Sequence, residues 1–128
     1  MGNKAKGSKI ERELFKKFTK NNHRAVRVAG SGTMSNADCD LIAGNSDEKY
    51  CIEVKSSKKP YKYISKDQME NFIIFSQIFD LEPIVAVRFN RKGWFFLEPE
   101  DLEETGKNWK VDLEMAREKG KRFGQAFG

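Results

Sequence analysis

Asp40-Leu41-Ile42-Ala43-Gly44-Asn45-Ser46-Asp47-Glu48-Lys49-Tyr50-Cys51-Ile52-Glu53-Val54-Lys55 is the stretch that decides how this chain folds. Its middle, Gly44-Asn45-Ser46-Asp47, is rich in turn formers, and apolar residues flank it on both sides. The pattern predicts two short strands, Cys39 to Ala43 and Tyr50 to Ser56, closing as a hairpin near Ser46-Asp47. In that register Asp40 lies opposite Glu53. Side chains alternate along a strand, so Glu53 and Lys55 share one face and Ile52 and Val54 the other. Two carboxylates and an ammonium are thereby expected on one surface of adjacent strands.

That grouping has a chemistry. A hard divalent cation wants oxygen ligands, and Mg²⁺ takes one or two carboxylates together with waters and substrate phosphate. Asp40 and Glu53 supply the carboxylates, and the Val54 carbonyl offers a further oxygen. Lys55 would sit beside the ion, placed to orient or deprotonate an attacking water and to offset charge on a phosphate. The plainer reading of Glu-x-Lys is a solvated charge pair worth only a few tenths of a kcal/mol, roughly. An acid that interrupts an apolar strand opposite a second acid weighs against that reading.

Outward from the hairpin, Arg24-Ala25-Val26-Arg27-Val28 alternates like a strand, and Gly30-Ser31-Gly32-Thr33 reads as a flexible loop. Ser8-Lys9-Ile10-Glu11 has capping-box spacing and is expected to open a helix with Ile10, Leu14, Phe15 and Phe18 on one face. On the other side, Lys58-Lys59-Pro60 breaks the strand pattern. Ser65-Lys66-Asp67-Gln68 is a second capping box, ahead of a helix carrying Met69, Phe72, Ile73, Ser76 and Phe79 on one face. Pro83 precedes the apolar run Ile84 to Phe89, which Trp94 to Leu97 pairs back upon across Asn90-Arg91-Lys92-Gly93. Beyond Pro99 the signal fades, although Asp112 is placed to cap a short helix. Helix, three strands, helix, two strands and a helical end make an α/β sandwich around one mixed sheet.

At 128 residues a single domain is expected over residues 1–128, with a basic leader at 1–7 and a tail from about 120–128 as candidates for disorder. Charged residues make up 34% and the formal charge is +5, an excess often found where a polyanion is bound. No apolar run is long enough to span a membrane and no secretory signal opens the chain. Cys39 and Cys51 form no metal-binding motif, His23 is the lone histidine, and a zinc site or Ser/His triad is therefore disfavoured. Two cysteines without a framework suit the reducing cytoplasm.

Taken together, Lys6-Gly7-Ser8-x-x-Glu11-Arg12, Ala25-Val26-Arg27, Gly30-Ser31-Gly32, Asp40 and Glu53-x-Lys55-Ser56 resemble, in order and spacing, the archaeal Holliday junction resolvase family. The match runs to the Trp94 hairpin. It implies a restriction-endonuclease-like core, a central mixed five-stranded sheet flanked by helices, and a homodimer that nicks four-way DNA junctions symmetrically with Mg²⁺ or Mn²⁺. Carried over by position, Asp40 and Glu53 are metal ligands and Lys55 the catalytic lysine. Glu11 is a further acid at the metal, at a second site or through water, and Ser31 lies beside the scissile phosphate. Arg12 and Arg27 reach the DNA backbone. The family usually has Pro before the aspartate, where this chain has Cys39.

Each residue also has a plainer role. Glu11 fits a capping box, Arg12 a helix surface, Arg27 a salt bridge, and Gly30-Ser31-Gly32 a simple connection whose small residues and hydroxyl would also suit closure on a phosphate. Lys58, Lys59, Lys62 and Lys66 are either a solvated face or a phosphate-neutralising flank of the site. Ile74 and Ile78, with the Trp94-Phe95-Phe96 hairpin, are the expected dimer surface. The competing functions are a nuclease of the same fold acting on other DNA and a non-catalytic DNA-binding module.

Overall fold

The computed structural model describes residues 2–28 and 38–128, with side chains from residue 9 onward. Helix α1 (Gly2–Lys20) leads into strand β1 (Arg24–Arg27), followed by β2 (Leu41–Gly44) and β3 (Lys49–Ser57). Strand β4 (Tyr61–Ser65) runs directly into helix α2 (Lys66–Ile78), and then come β5 (Glu82–Phe89) and β6 (Gly93–Leu97). After a 3-10 turn, strands β7 (Glu103–Glu104) and β8 (Asn108–Asp112) precede α3 (Leu113–Lys119) and α4 (Phe123–Phe127).

The main sheet has five strands in the order β1-β2-β3-β5-β6 and is mixed. Strand β3 runs parallel to β5, and the other neighbours are antiparallel. The expected hairpin register is the observed one, with Leu41 opposite Ile52 and Ala43 opposite Tyr50. Its turn explains why. Asn45 Oδ1 accepts from the backbone N–H groups of Asp47 and Glu48, both at 2.9 Å, a local turn that Asn side chains favour. A Cβ on Gly44 would lie 2.6 Å from the Glu48 carbonyl oxygen, so only glycine lets the strands meet there.

Two apolar layers sandwich the sheet. Ile10, Leu14 and Phe18 of α1 pack on Leu41, Ala43, Tyr50, Ile52, Ile84 and Ala86. Met69 and Phe72 of α2 pack with Cys51, Val85, Val87 and Phe89 on the opposite face. Alternation along β3 therefore sends Tyr50 and Ile52 toward α1, and Cys51 toward α2.

Four expectations need correction. First, α1 begins at Gly2, so Ser8 to Glu11 lies inside the helix and does not open it. Lys4, Ala5 and Lys6 are good helix formers, and one glycine at Gly7 costs only about 1 kcal/mol, too little to stop a helix that is anchored downstream. Second, the tail is built into the fold. Phe127 is buried, with ring centroids 4.8 Å from Phe18 and 4.9 Å from Phe96, and Arg122 Nη1 donates to the Trp94 carbonyl at 2.6 Å. Third, the sheet is not alone: a second one, β4-β8-β7, stands beside the expected mixed sheet. It contributes Ile64 and Val111 to the α2-side core. Fourth, the exposed and buried aromatics are exchanged relative to expectation. Phe79 is exposed at the end of α2, whereas Trp94, Phe95 and Phe96 are all buried. The Asp112 cap is as expected, accepting from Met115 N–H at 2.7 Å.

Candidate active site

The hairpin register brings Asp40 opposite Glu53, one step beyond the Leu41–Ile52 pair. Asp40 N–H donates to the Ile52 carbonyl at 2.9 Å, extending the ladder past β2. Its Oδ2 accepts from Val54 N–H at 2.7 Å. Asp40 is thus clamped at both backbone and side chain. In an extended strand a residue's N–H and C=O point the same way, so the Val54 carbonyl lies on the Asp40 edge of β3.

Glu53 and Lys55 emerge on the α2 side. Glu53 is only 4% exposed, an uncommon setting for a carboxyl. Burial, then the negative charge of Asp40, push its pKa up to about 8, against the opposing pull of Lys55. The Lys55 ammonium stands 3.5 Å from Glu53 Oε2 and donates to Gln68 Oε1 at 3.0 Å. Gln68 Nε2 in turn donates to Glu53 Oε2 at 2.7 Å.

Glu11 approaches from α1. Its carboxyl pKa is also raised, by burial first and by Asp40 second, while Arg27 lowers it. Arg27 Nη2 donates to Glu11 Oε1 at 3.4 Å, so Glu11 is an ion-pair partner and not a helix cap. Asp40 raises the pKa of both Glu11 and Glu53, so the three acids crowd negative charge into one partly desolvated place. A divalent cation is the species that relieves such crowding. Among the described residues no three or more His, Cys, Asp or Glu side chains form a ready-made metal cage. Two carboxylates and a carbonyl nevertheless fit the donor chemistry of Mg²⁺, which keeps several waters.

The remaining expected residues fall around this centre. Arg12 is exposed on α1, and Lys58 and Lys59 are exposed on the turn after β3. That turn is held by Ser57 Oγ, which donates to the Tyr61 carbonyl at 2.7 Å and accepts from Lys59 N–H at 3.1 Å. The Lys59 ammonium lies over the Tyr61 ring. Gly30, Ser31 and Gly32 lie outside the described residues. His23 is buried among Phe18, Phe123 and Phe127, with Nδ1 2.7 Å from the Asn21 carbonyl oxygen, and serves packing. Both thiols are buried and pushed up to about 12, which makes them inert. The residue that sequence reasoning missed is Gln68, which it read only as a capping partner. Its side chain instead faces Glu53 and Lys55.

The model of the family described as archaeal Holliday junction resolvase (Hjc) matches residues 2–126. Crossover junction endodeoxyribonuclease Hjc of Archaeoglobus fulgidus is 39% identical over 98% of this chain and 97% of that protein. The protein of the same name from Methanocaldococcus jannaschii is 39% identical over 84% of this chain and 76% of its own length. Among solved structures, that of Archaeoglobus fulgidus Hjc, a Holliday junction resolvase from an archaeal hyperthermophile, superposes with a TM-score of 0.85. It covers 94% of both chains at 33% identity.

Proposed function

The chain belongs to the archaeal Holliday junction resolvase family, and on that premise we propose how its residues perform the family's reaction. The protein is a crossover junction endodeoxyribonuclease: it recognises four-way DNA junctions and hydrolyses a phosphodiester in each of two opposed strands. The single observation that carries the reading is the buried carboxyl pair, Asp40 against Glu53, with Lys55 one alternation further along β3.

Asp40 and Glu53 would hold a divalent cation, Mg²⁺ or Mn²⁺, with the Val54 carbonyl offering a further oxygen and Glu11 available through a water or at a second site. The cation, when bound, polarises the phosphoryl oxygen and makes the attacking water more acidic. Asp40 is kept in place by Val54 N–H, so it presents a fixed oxygen without reorganisation. Lys55 faces the phosphate, steadying charge that develops there and orienting the water. Ser31, outside the described residues, is assigned to the scissile phosphate by the family resemblance alone. Arg12, Arg27, Lys58 and Lys59 neutralise backbone phosphates of the arms, and binding is correspondingly salt-sensitive.

The working unit is a homodimer, because two equivalent cuts call for two sites related by a two-fold axis. Its interface is the outer face of α2. Ile74, Ile78 and Phe79 are exposed there, and Leu81 continues the surface into a groove of about 550 Å³ lined by Val26 and Ile42. The buried Trp94-Phe95-Phe96 hairpin takes no part. No helix among the described residues is long and apolar enough to cross a membrane. The protein acts in the reducing cytoplasm, on cellular or viral DNA.

The test is cleavage of a synthetic four-way junction beside a linear duplex of the same arm sequence, with Mg²⁺ and with chelator. Paired, metal-dependent nicks in the junction alone are expected. Equal cutting of both substrates would assign a nuclease of other specificity, and tight binding without cutting a non-catalytic module.

A further inference from the structure

Gln68 lies in the first turn of α2, where Ser65 Oγ accepts its backbone N–H at 3.1 Å. From there its side chain crosses to β3 and touches both functional groups at once. Nε2 donates to Glu53 Oε2 at 2.7 Å, and Oε1 accepts from Lys55 Nζ at 3.0 Å. An ammonium only donates, and Glu53 Oε2 here accepts, so a single orientation of the amide satisfies both partners. The direct Lys55–Glu53 separation is 3.5 Å, longer than the roughly 2.7–2.9 Å of a charge-assisted hydrogen bond. The amide therefore bridges an ammonium and a carboxyl that already form a loose ion pair, holding them short of a direct charge-assisted hydrogen bond.

This matters because the two groups have different tasks. A carboxylate engaged by an ammonium is a poorer ligand for a cation, and an ammonium engaged by a carboxylate is less available to a phosphate. Resting on the active-site reading above, we propose that Gln68 is a positioning residue of the nuclease centre: its amide keeps Lys55 from closing onto Glu53, leaving the carboxylate for the metal and the ammonium for the phosphate. Gln68 itself is exposed, so little apolar burial depends on it and a purely structural role has little to act through. The Ser65 cap fixes where the side chain starts, and the capping box and the site are thus one device.

The experiment compares the parent, Gln68→Ala, Gln68→Glu and Glu53→Gln as full-length proteins. Five quantities are read: kcat and KM on the four-way junction, Mn²⁺ affinity by electron paramagnetic resonance without DNA, junction affinity in chelator, and melting temperature. For Gln68→Ala, kcat and Mn²⁺ affinity should each fall about 10- to 100-fold, as for other groups that orient metal ligands. KM, junction affinity in chelator and melting temperature should stay at the parent's values. Gln68→Glu has the same size and still accepts from Lys55, but it loses the donor to Glu53 and adds a like charge, so kcat should not recover. Parental kcat and Mn²⁺ affinity in Gln68→Ala would overturn the inference. So would full activity in Gln68→Glu, or losses that merely follow the melting temperature. An active Glu53→Gln would sink the site reading itself, whereas an inactive one beside a parental Gln68→Ala would sink only the role of Gln68.

Discussion

Tyr50 and Glu53 lie three residues apart on β3, both are nearly inaccessible, and their burial has opposite consequences. Tyr50 faces α1 in an aromatic cluster with Phe127, Phe18 and Phe96, its ring 5.0 Å from that of Phe127. Its hydroxyl donates to Glu48, so nothing polar is stranded. Glu53 faces α2, where burial and Asp40 both disfavour its charge. One end of the strand lowers the free energy of the fold and the other raises it. A buried carboxyl next to another acid works against stability, which is why Glu53 is the candidate for a functional role.

Four expected outcomes bear on this comparison. At the acid end, Lys55→Ala should lower turnover about a hundredfold or more, as loss of a group that stabilises transition-state charge does, without lowering the melting temperature. Retained turnover in a single-turnover cleavage assay would reduce Lys55 to a structural partner of Glu53. At the aromatic end, Phe127→Ala should cost about 3 kcal/mol in urea unfolding, because a buried ring is lost from a packed cluster. Its cleavage rate per folded molecule should not change, and a selective loss of turnover would mean the two regions are coupled. Between them stands the pH dependence of the metal-free protein. The Glu53 pKa is raised on folding, from 4.5 to about 8, so the folded state binds more protons than the unfolded one. Stability is then fully present below about pH 4.5 and declines as pH rises through about 8, with a slope no steeper than about 1.4 kcal/mol per pH unit. Glu11, raised in the same direction, adds to the decline. Denaturant titrations at several pH values should show that slope, and added Mn²⁺ should reverse it by binding the folded state. The smallest effect belongs to the rim. Lys58→Ala or Lys59→Ala should each reduce the salt dependence of junction binding by about one unit of log–log slope, with little change in turnover. An unchanged slope would place the DNA elsewhere.

The sequence carried most of the site because the site is local. A turn of Gly44 and Asn45 determines the hairpin register, and the register alone sets Asp40 against Glu53. Alternation on a strand then puts Lys55 beside Glu53. What escaped was non-local. Strand β4 lies beyond a Lys-Lys-Pro turn and pairs with β8, far along the chain, at the register Tyr63 against Lys110. Neither strand pattern is strong alone, although the spacing of Tyr61, Tyr63 and Ser65 was a usable hint. The helix start was misplaced because Ser8 and Glu11 match a cap, while the ion pair that claims Glu11 comes from Arg27 on β1. The sequence of the tail reads as a candidate for disorder because its anchors, Arg122 and Phe127, find their partners on α1, β3 and β6. Gln68 was legible as a cap and illegible as a bridge, since nothing in its own segment points to β3.

The most direct test of the claim that Glu53 is kept at the expense of stability takes Glu53→Gln and measures two things on one preparation. These are junction cleavage with Mg²⁺ and unfolding free energy without metal at alkaline pH, with junction binding in chelator as the control. The account predicts no cleavage, intact binding, and a variant more stable than the parent. A variant that cuts at the parental rate, or one that is inactive because it is less stable, would contradict it.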